Sequence, residues 1–135
     1  MSASELEYRP AGAQDYEVVR QFLCEVGWQR RVGDPERFRA IVEGAQRTVV
    51  AFDGGRVVGF ARALCDGVSN GYISMVAVAV DMRGRGVGRE LVRRLIGEDE
   101  GITWVLRAGH GSEGFWSVMG FEASEVAMER VRKVE

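Results

Sequence analysis

Residues 72–97 constrain the fold more tightly than any other part of the chain. Residues 72–80 are nearly all apolar, with an unbroken run from Met75 to Val80. Such a run predicts a central strand covered on both faces. The glycine-rich loop Asp81-Met82-Arg83-Gly84-Arg85-Gly86-Val87-Gly88 follows. Residues 86–96 then read as a helix, with Val87, Leu91, Val92, Leu95 and Ile96 on one face. A further strand at 102–107 makes the unit a parallel crossover. The chain must therefore build a sheet with a helix packed on it.

The remaining elements fit around that unit. Residues 6–9 predict a first strand ending at Pro10, and residues 15–26 a helix with Val18, Val19, Phe22, Leu23 and Val26 inward. Residues 27–33 interrupt it. Asp34 is a natural N-cap, with Pro35 at the first position of a second helix that buries Phe38, Ile41, Val42 and Ala45. The period then changes. Strands at 48–52 and 56–64 flank Asp53-Gly54-Gly55, a hairpin turn. A loop at 66–71 leads into the central strand. A Gly-rich loop from 109 becomes a short helix by 119, and residues 121–132 are expected to close the sheet as paired strands, with a helix over 125–131 as the alternative. The class is α+β: a mixed, mostly antiparallel central sheet with flanking helices, forming one domain over residues 1–135.

Composition removes several classes of function. With 18 basic against 20 acidic residues the net charge is −2, whereas proteins that grip nucleic acid by phosphate neutralisation carry a basic excess. The arginines at 83, 85, 89, 93 and 94 cluster within one short segment, which suits a small polyanion better than a duplex. Cys24, Cys65 and His110 have no metal-ligand spacing, so no metal is expected. Residues 1–10 lack the apolar core of a secretion signal, and no apolar run could span a bilayer. A reduced, cytoplasmic protein without membrane or nucleic-acid partners is the expectation.

The glycine loop carries the chemistry. Glycines at 84, 86 and 88 strip side chains from the start of a helix, where N–H groups point outward and the dipole favours an anion. That is a phosphate site, and Arg83 and Arg85 add charge-assisted donors. It is not a P-loop, which needs Gly-Lys-Ser/Thr. Nor is it a dinucleotide fingerprint, which needs a small residue at position 89 and a place after the first strand of a βαβ unit.

Arg83-x-x-Gly86-x-Gly88, after Val76-Ala77-Val78-Ala79-Val80, resembles the acetyl-coenzyme A motif of the GNAT superfamily of N-acetyltransferases. Arg56-Val57-Val58-Gly59-Phe60 is similar to that family's "V-G" hairpin strand, and Phe115-Trp116-x-x-x-Gly120-Phe121 resembles its "F-Y-x-x-x-G-F" segment. The element order matches over nearly the whole chain. The resemblance implies acetyl-coenzyme A as cosubstrate and a small-molecule amine as acceptor. It implies that Val76, Ala77 and Val78 lie along the pantetheine arm, with a main-chain N–H at Val76 polarising the thioester carbonyl. Arg83, Gly84, Arg85, Gly86, Val87 and Gly88 would hold the pyrophosphate, and Phe115 and Trp116 would pack near the sulphur.

The pattern departs from the family at two points. Trp116 stands where a tyrosine often donates the leaving-group proton, and Ser74 and Met75 stand where some members carry a glutamate. His110 and Glu113, with Asp66, are the candidate bases from flanking loops; Ser112 or Tyr72 could replace the acid. Trp28 and Arg30, with Arg31, fall between the first two helices and, with Tyr72 and Ser74, are the candidate acceptor residues. An Arg pair there would suit an acceptor bearing a carboxylate. The missing acid and base keep a second reading open, a non-catalytic acyl-coenzyme A sensor or assembly domain. The edge left by the C-terminal strands is an expected place for a homodimer contact.

Overall fold

The structure is a computed structural model and describes residues 5–134. Five strands form a single sheet in chain order: β1 (Glu7–Arg9), β2 (Arg47–Asp53), β3 (Arg56–Cys65), β4 (Asn70–Val78) and β5 (Thr103–Leu106). The first three pairings are antiparallel and the last, β4 with β5, is parallel. The β2–β3 hairpin turns at Gly54, whose φ of +60° needs a residue without a Cβ.

Each face of the sheet carries helices. On one face lies α4 (Val87–Ile96), with Val87, Leu91, Val92 and Leu95 buried and Ile96 half-buried, as its periodicity predicts. Its approach is set by Gly59. A Cβ there would lie 2.9 Å from Leu91 Cδ1 and 3.2 Å from Val87 Cγ1. Arg47 closes the far end of α4, donating from Nη1 to the Leu95 and Ile96 carbonyls at 3.0 and 3.2 Å.

The other face carries α1 (Tyr16–Leu23), the short α2 (Gln29–Val32) and α3 (Pro35–Glu43). Phe38 of α3 meets Phe60 of β3 edge to face, with centroids 6.3 Å apart. Asp34 caps α3, accepting from the Glu36 N–H at 3.2 Å. The predicted break after α1 is a wide turn at Cys24–Trp28, where Gly27 has φ +106°. Residues 29–32 resume helical form rather than staying in the loop. Before α1, Asp15 is the one buried charged residue among those described. It takes two bonds from Arg9, at 2.6 and 3.0 Å, and one from the Gly12 N–H at 2.8 Å.

The C-terminal expectation is corrected. After α5 (Glu113–Val118), residues 122–134 form neither strand nor helix. Val126 and Met128 are 88% and 96% exposed. The strand beside which they would pair, β5, is only four residues long, and the segment is rich in charge. Ser124 Oγ instead accepts from the Val126 and Ala127 N–H groups, closing a local turn. The open edges are therefore β1 and β5, not C-terminal strands.

Candidate active site

The parallel pairing of β4 with β5 runs only from Asn70↔Thr103 to Ile73↔Leu106. Its end coincides with an irregularity in β4. Ser74 faces Arg62 and Val76 faces Ala61, so Met75 has no partner on β3. Met75 has φ +69°, the one positive value among the described non-glycine residues, and its side chain is buried. A two-against-one bulge bends its strand and sharpens the local twist. Residues 76–78 thus leave β5 behind.

The β3–β4 ladder fixes where the freed backbone points. The Ala79 N–H donates to the Val58 carbonyl at 2.8 Å. Antiparallel pairs alternate between bonded and non-bonded, so Ala77 and Ala79 face β3 while Val76 and Val78 turn their N–H and C=O groups the other way. That way lies the gap beside β5. Arg83 Nε donates to the Val78 carbonyl from this side at 3.2 Å.

The gap opens into a cleft of about 800 Å³. Residues Ile73 and Met75–Val78 line one wall, and the loop and first turn of α4 another. Leu106, Arg107, Gly109, Gly111 and Ser112 line the β5 side, Phe115, Trp116, Val118 and Met119 close over it, and Val26 and Trp28 stand at its far end. Gly86 enters α4 with φ +89° and no side chain caps the helix. The first bond of the ladder is from the Glu90 N–H to the Gly86 carbonyl at 3.0 Å. The N–H groups of Val87, Gly88 and Arg89 therefore have no intrahelical acceptor, and these residues line the cleft. The result is the positive end of a helix dipole facing a cavity, a ready anion site.

The same segment is matched by a family model. Residues 14–121 fit that of the acetyltransferase (GNAT) family. The chain belongs to the GNAT acetyltransferase family. It is 30% identical over 120 residues to serotonin N-acetyltransferase 2, chloroplastic, of Oryza sativa subsp. japonica, covering 84% of this chain and 59% of that protein. The chain thus spans about three fifths of the curated relative it matches. Among solved structures, a Trypanosoma brucei acetyltransferase superposes with a TM-score of 0.74 at 24% identity, covering 94% of this chain and 99% of its own. AAC(6')-Iy, in complex with the bisubstrate analogue CoA-S-monomethyl-acetylneamine, superposes with a TM-score of 0.73 at 18% identity, covering 96% and 99%. These two likenesses concern the fold.

Within this GNAT domain the expected residues divide. Val76, Ala77, Val78, Arg83, Gly84, Gly86, Val87, Gly88, Phe115 and Trp116 all line the cleft. Arg85 does not; it is exposed. A Cβ on Gly88 would lie 3.4 Å from the Phe115 ring and 3.5 Å from Val78 Cγ2, so α4, α5 and β4 meet at this point. Trp116 is held edge-on between Phe115 and Phe121, at 4.9 and 5.3 Å. Trp28 lines the cleft, but Arg30 is exposed and away from it. Tyr72 and Ser74 lie on the opposite face of the sheet from α4, where Arg62 Nη1 donates to Ser74 Oγ at 3.0 Å.

The candidate bases stand apart. His110 and Glu113 are exposed and neither lines the cleft. Asp66 accepts from the backbone of Ser69, Val68 and Asn70 and from the Ser69 hydroxyl, which holds its carboxyl far below the usual range. That makes it a turn-former and a very weak base. Ser112 lines the cleft but donates its hydroxyl to the Gly109 carbonyl at 2.6 Å. The ionisable groups lining the cleft are Arg83, Arg89 and Arg107. Arg107 also pairs with Glu129 at 2.9 Å. Arg89 follows the motif directly and was legible as one of the clustered arginines; Arg107, beyond the end of β5, carried no local signal. Cys24 and Cys65 are free thiols. Among the described residues no helix is long and apolar enough to cross a membrane, and no group of His, Cys, Asp and Glu is gathered as for a metal.

Proposed function

We propose that the chain is an N-acetyltransferase that moves an acetyl group from acetyl-coenzyme A to a small-molecule amine by direct attack. The observation that carries this is the conjunction of two backbone surfaces in one cleft that no strand or helix pairs, Arg83 Nε alone reaching the Val78 carbonyl. The bulge at Met75 leaves the N–H and C=O groups of Val76 and Val78 unpaired by β5. The uncapped first turn of α4 presents the N–H groups of Val87, Gly88 and Arg89. An amide-bearing arm ending in a pyrophosphate satisfies both. The arm lies beside β4 as an added strand, and the pyrophosphate meets the helix N-terminus with Arg83 and Arg89 as counter-charges.

The residues then have these roles. Val76 offers its N–H to the thioester oxygen as that oxygen gains charge, an effect worth a few kcal/mol of barrier. The amine nitrogen bonds to the acetyl carbon, the carbon–sulphur bond breaks, and the sulphur leaves as thiolate. A thiol pKa of about 8.5 lets it leave without a dedicated acid. Trp116 in place of the usual tyrosine supplies packing and no proton. Among the described residues no Asp, Glu or His lines the cleft, so the ammonium loses one proton to solvent before attack, and the nitrogen gives up its second proton to solvent or to the departing thiolate as the amide forms. His110 and Glu113 remain candidates for that proton only if their loop closes over the acceptor.

The same absence favours a second reading, a domain that binds acyl-coenzyme A without turnover. Thermal unfolding with acetyl-coenzyme A, coenzyme A, NAD and ATP added separately tests the cleft. A ligand at about 100 times its dissociation constant stabilises by roughly 2.7 kcal/mol. Stabilisation by the coenzyme A species alone supports the assignment; none at saturation removes it. Thiol release with a panel of amines, serotonin among them, separates the enzyme from the sensor.

A further inference from the structure

Three arginines line the cleft, and the pyrophosphate site uses two of them. Arg83 and Arg89 flank the first turn of α4, at the end of the cleft that the chain reaches after Val78. Arg107 stands at the other end. It follows Leu106, the last residue of β5 to pair with β4, so it leaves the sheet beside Ile73 and Ser74 where the two strands part. Ser74 and Val78 are about 13 Å apart along the strand, whereas Ser74 and Val76 are about 6–7 Å apart. Arg107 thus flanks the reacting end of the cleft rather than its phosphate end.

That arginine already holds a carboxylate, one supplied by the chain itself. Its Nε forms an ion pair with Glu129 Oε2 at 2.9 Å. Glu129 is no part of the cleft wall; it belongs to the C-terminal segment, which forms neither strand nor helix. The two side chains are 53% and 55% exposed, and ion pairs so open to water contribute little. Regular structure does not fix Glu129 in place, and its partner borders a cavity. Its carboxylate therefore rests where a ligand carboxylate would sit, and it can be exchanged for one.

We propose that Arg107 is a specificity residue that receives a carboxylate brought to the reacting end of the cleft, and that Glu129 is the internal stand-in which this carboxylate displaces. The inference rests on the acetyltransferase reading of the cleft. Either substrate can carry the group: the acceptor, as in an amino acid, or the acyl chain, as in the monothioester of a dicarboxylic acid. Both present two oxygens to a planar guanidinium fork. A ligand with the carboxylate frees the C-terminal segment from Arg107, and one without it leaves the pair closed.

The test is calorimetric titration of the full chain in two arms. One compares succinyl-coenzyme A with butyryl-coenzyme A. The other uses the chain saturated with coenzyme A, which blocks turnover, and compares tryptophan with tryptamine and β-alanine with ethylamine. In one arm the carboxylate-bearing member should bind about tenfold or more tighter, and the arm that responds names the source. Arg107→Gln should erase the preference, and Arg107→Lys should keep part of it. Glu129→Gln removes the competitor. It should tighten the carboxylate-bearing member about two- to fivefold, the range of an exposed pair, without tightening its counterpart, and should have no effect in the Arg107→Gln background. Equal binding within every pair overturns the proposal, and so does a preference that survives Arg107→Gln. A preference that Glu129→Gln leaves unaltered overturns the displacement. Failure of coenzyme A itself to bind overturns the cleft assignment and this inference with it, whereas coenzyme A binding without a carboxylate preference overturns this inference alone.

Discussion

Gly59 offers a sharp test of how α4 is seated. Its φ is not in the left-handed region, so an alanine there is crowded rather than strained. The new Cβ would meet Leu91 Cδ1 at 2.9 Å, Val87 Cγ1 at 3.2 Å and Ala51 Cβ at 3.3 Å. Leu91 and Ala51 are fully buried and Val87 nearly so. Overpacking of this kind costs about 1–3 kcal/mol, and replacing glycine within a strand returns about 0.5–1. The difference spans about 0–2.5 kcal/mol, and contact with three buried side chains, one at 2.9 Å, puts the net loss toward the upper half, about 1.5 kcal/mol. An unfolding entropy of about 2.1 cal/mol/K per residue over 135 residues converts 1.5 kcal/mol into a Tm drop of about 5 °C. Leu91→Ala alone should cost about 2–5 kcal/mol. Together the two should cost less than their sum by about 1 kcal/mol or more, because the shortened side chain vacates the space the Cβ enters. Urea unfolding of the four proteins measures the cycle. A Gly59→Ala variant within 1 °C of wild type, or strict additivity, would refute this account of how α4 meets the sheet.

Three other perturbations address the site and its support. Gly86→Val should lose coenzyme A binding, and its φ of +89° adds about 1–3 kcal/mol of strain; calorimetry and thermal unfolding read the two effects, with Gly114→Ala, whose Cβ meets open space, as the neutral control. Because no acid or imidazole among the described residues lines the cleft, kcat/KM for an alkylamine should rise about tenfold per pH unit toward the amine pKa near 10. His110→Ala and Glu113→Gln should leave that slope unaltered, and an inflection near neutrality that disappears in either variant would refute solvent deprotonation. Asp15→Asn should cost about 1–3 kcal/mol at neutral pH by leaving Arg9 and the Gly12 N–H without their carboxylate. The Arg9 bonds lower the Asp15 pKa in the folded chain, so its contribution is present above about pH 4 and lost as pH falls. The variant's stability should therefore change less than the wild type's between pH 5 and 2, as followed by urea unfolding.

The parts of the chain legible in sequence are those decided locally. Asp34 followed by Pro35 starts α3 whatever surrounds it, and the stripe Val87, Leu91, Val92, Leu95 buries one face of α4 against whatever lies beneath. The glycine loop likewise exposes helix N–H groups by its own geometry. The bulge at Met75 was invisible because the run from Met75 to Val80 holds no glycine, proline or polar residue to mark an interruption. Only the register against β3 reveals it. Arg107 was overlooked for a similar reason: its meaning depends on Glu129 and on where β5 leaves β4. For residues 121–132 the sequence leaves paired strands and a helix both open, and neither forms, because β5 offers an edge of only four residues and Val126 and Met128 find no surface to cover. His110 and Glu113 were singled out by residue type, which cannot report the direction a loop takes.

The parting of β4 from β5 has a consequence for the sheet. An internal strand whose alternate residues Val76 and Val78 turn their backbone groups away from β3, with Arg83 Nε on the Val78 carbonyl, is an unfinished sheet. Peripheral strands are usually blunted by charge or proline, yet Val76, Ala77 and Val78 carry neither. An extended ligand that lies along Val76 and Val78 would complete that ladder and cover the gap left by β5.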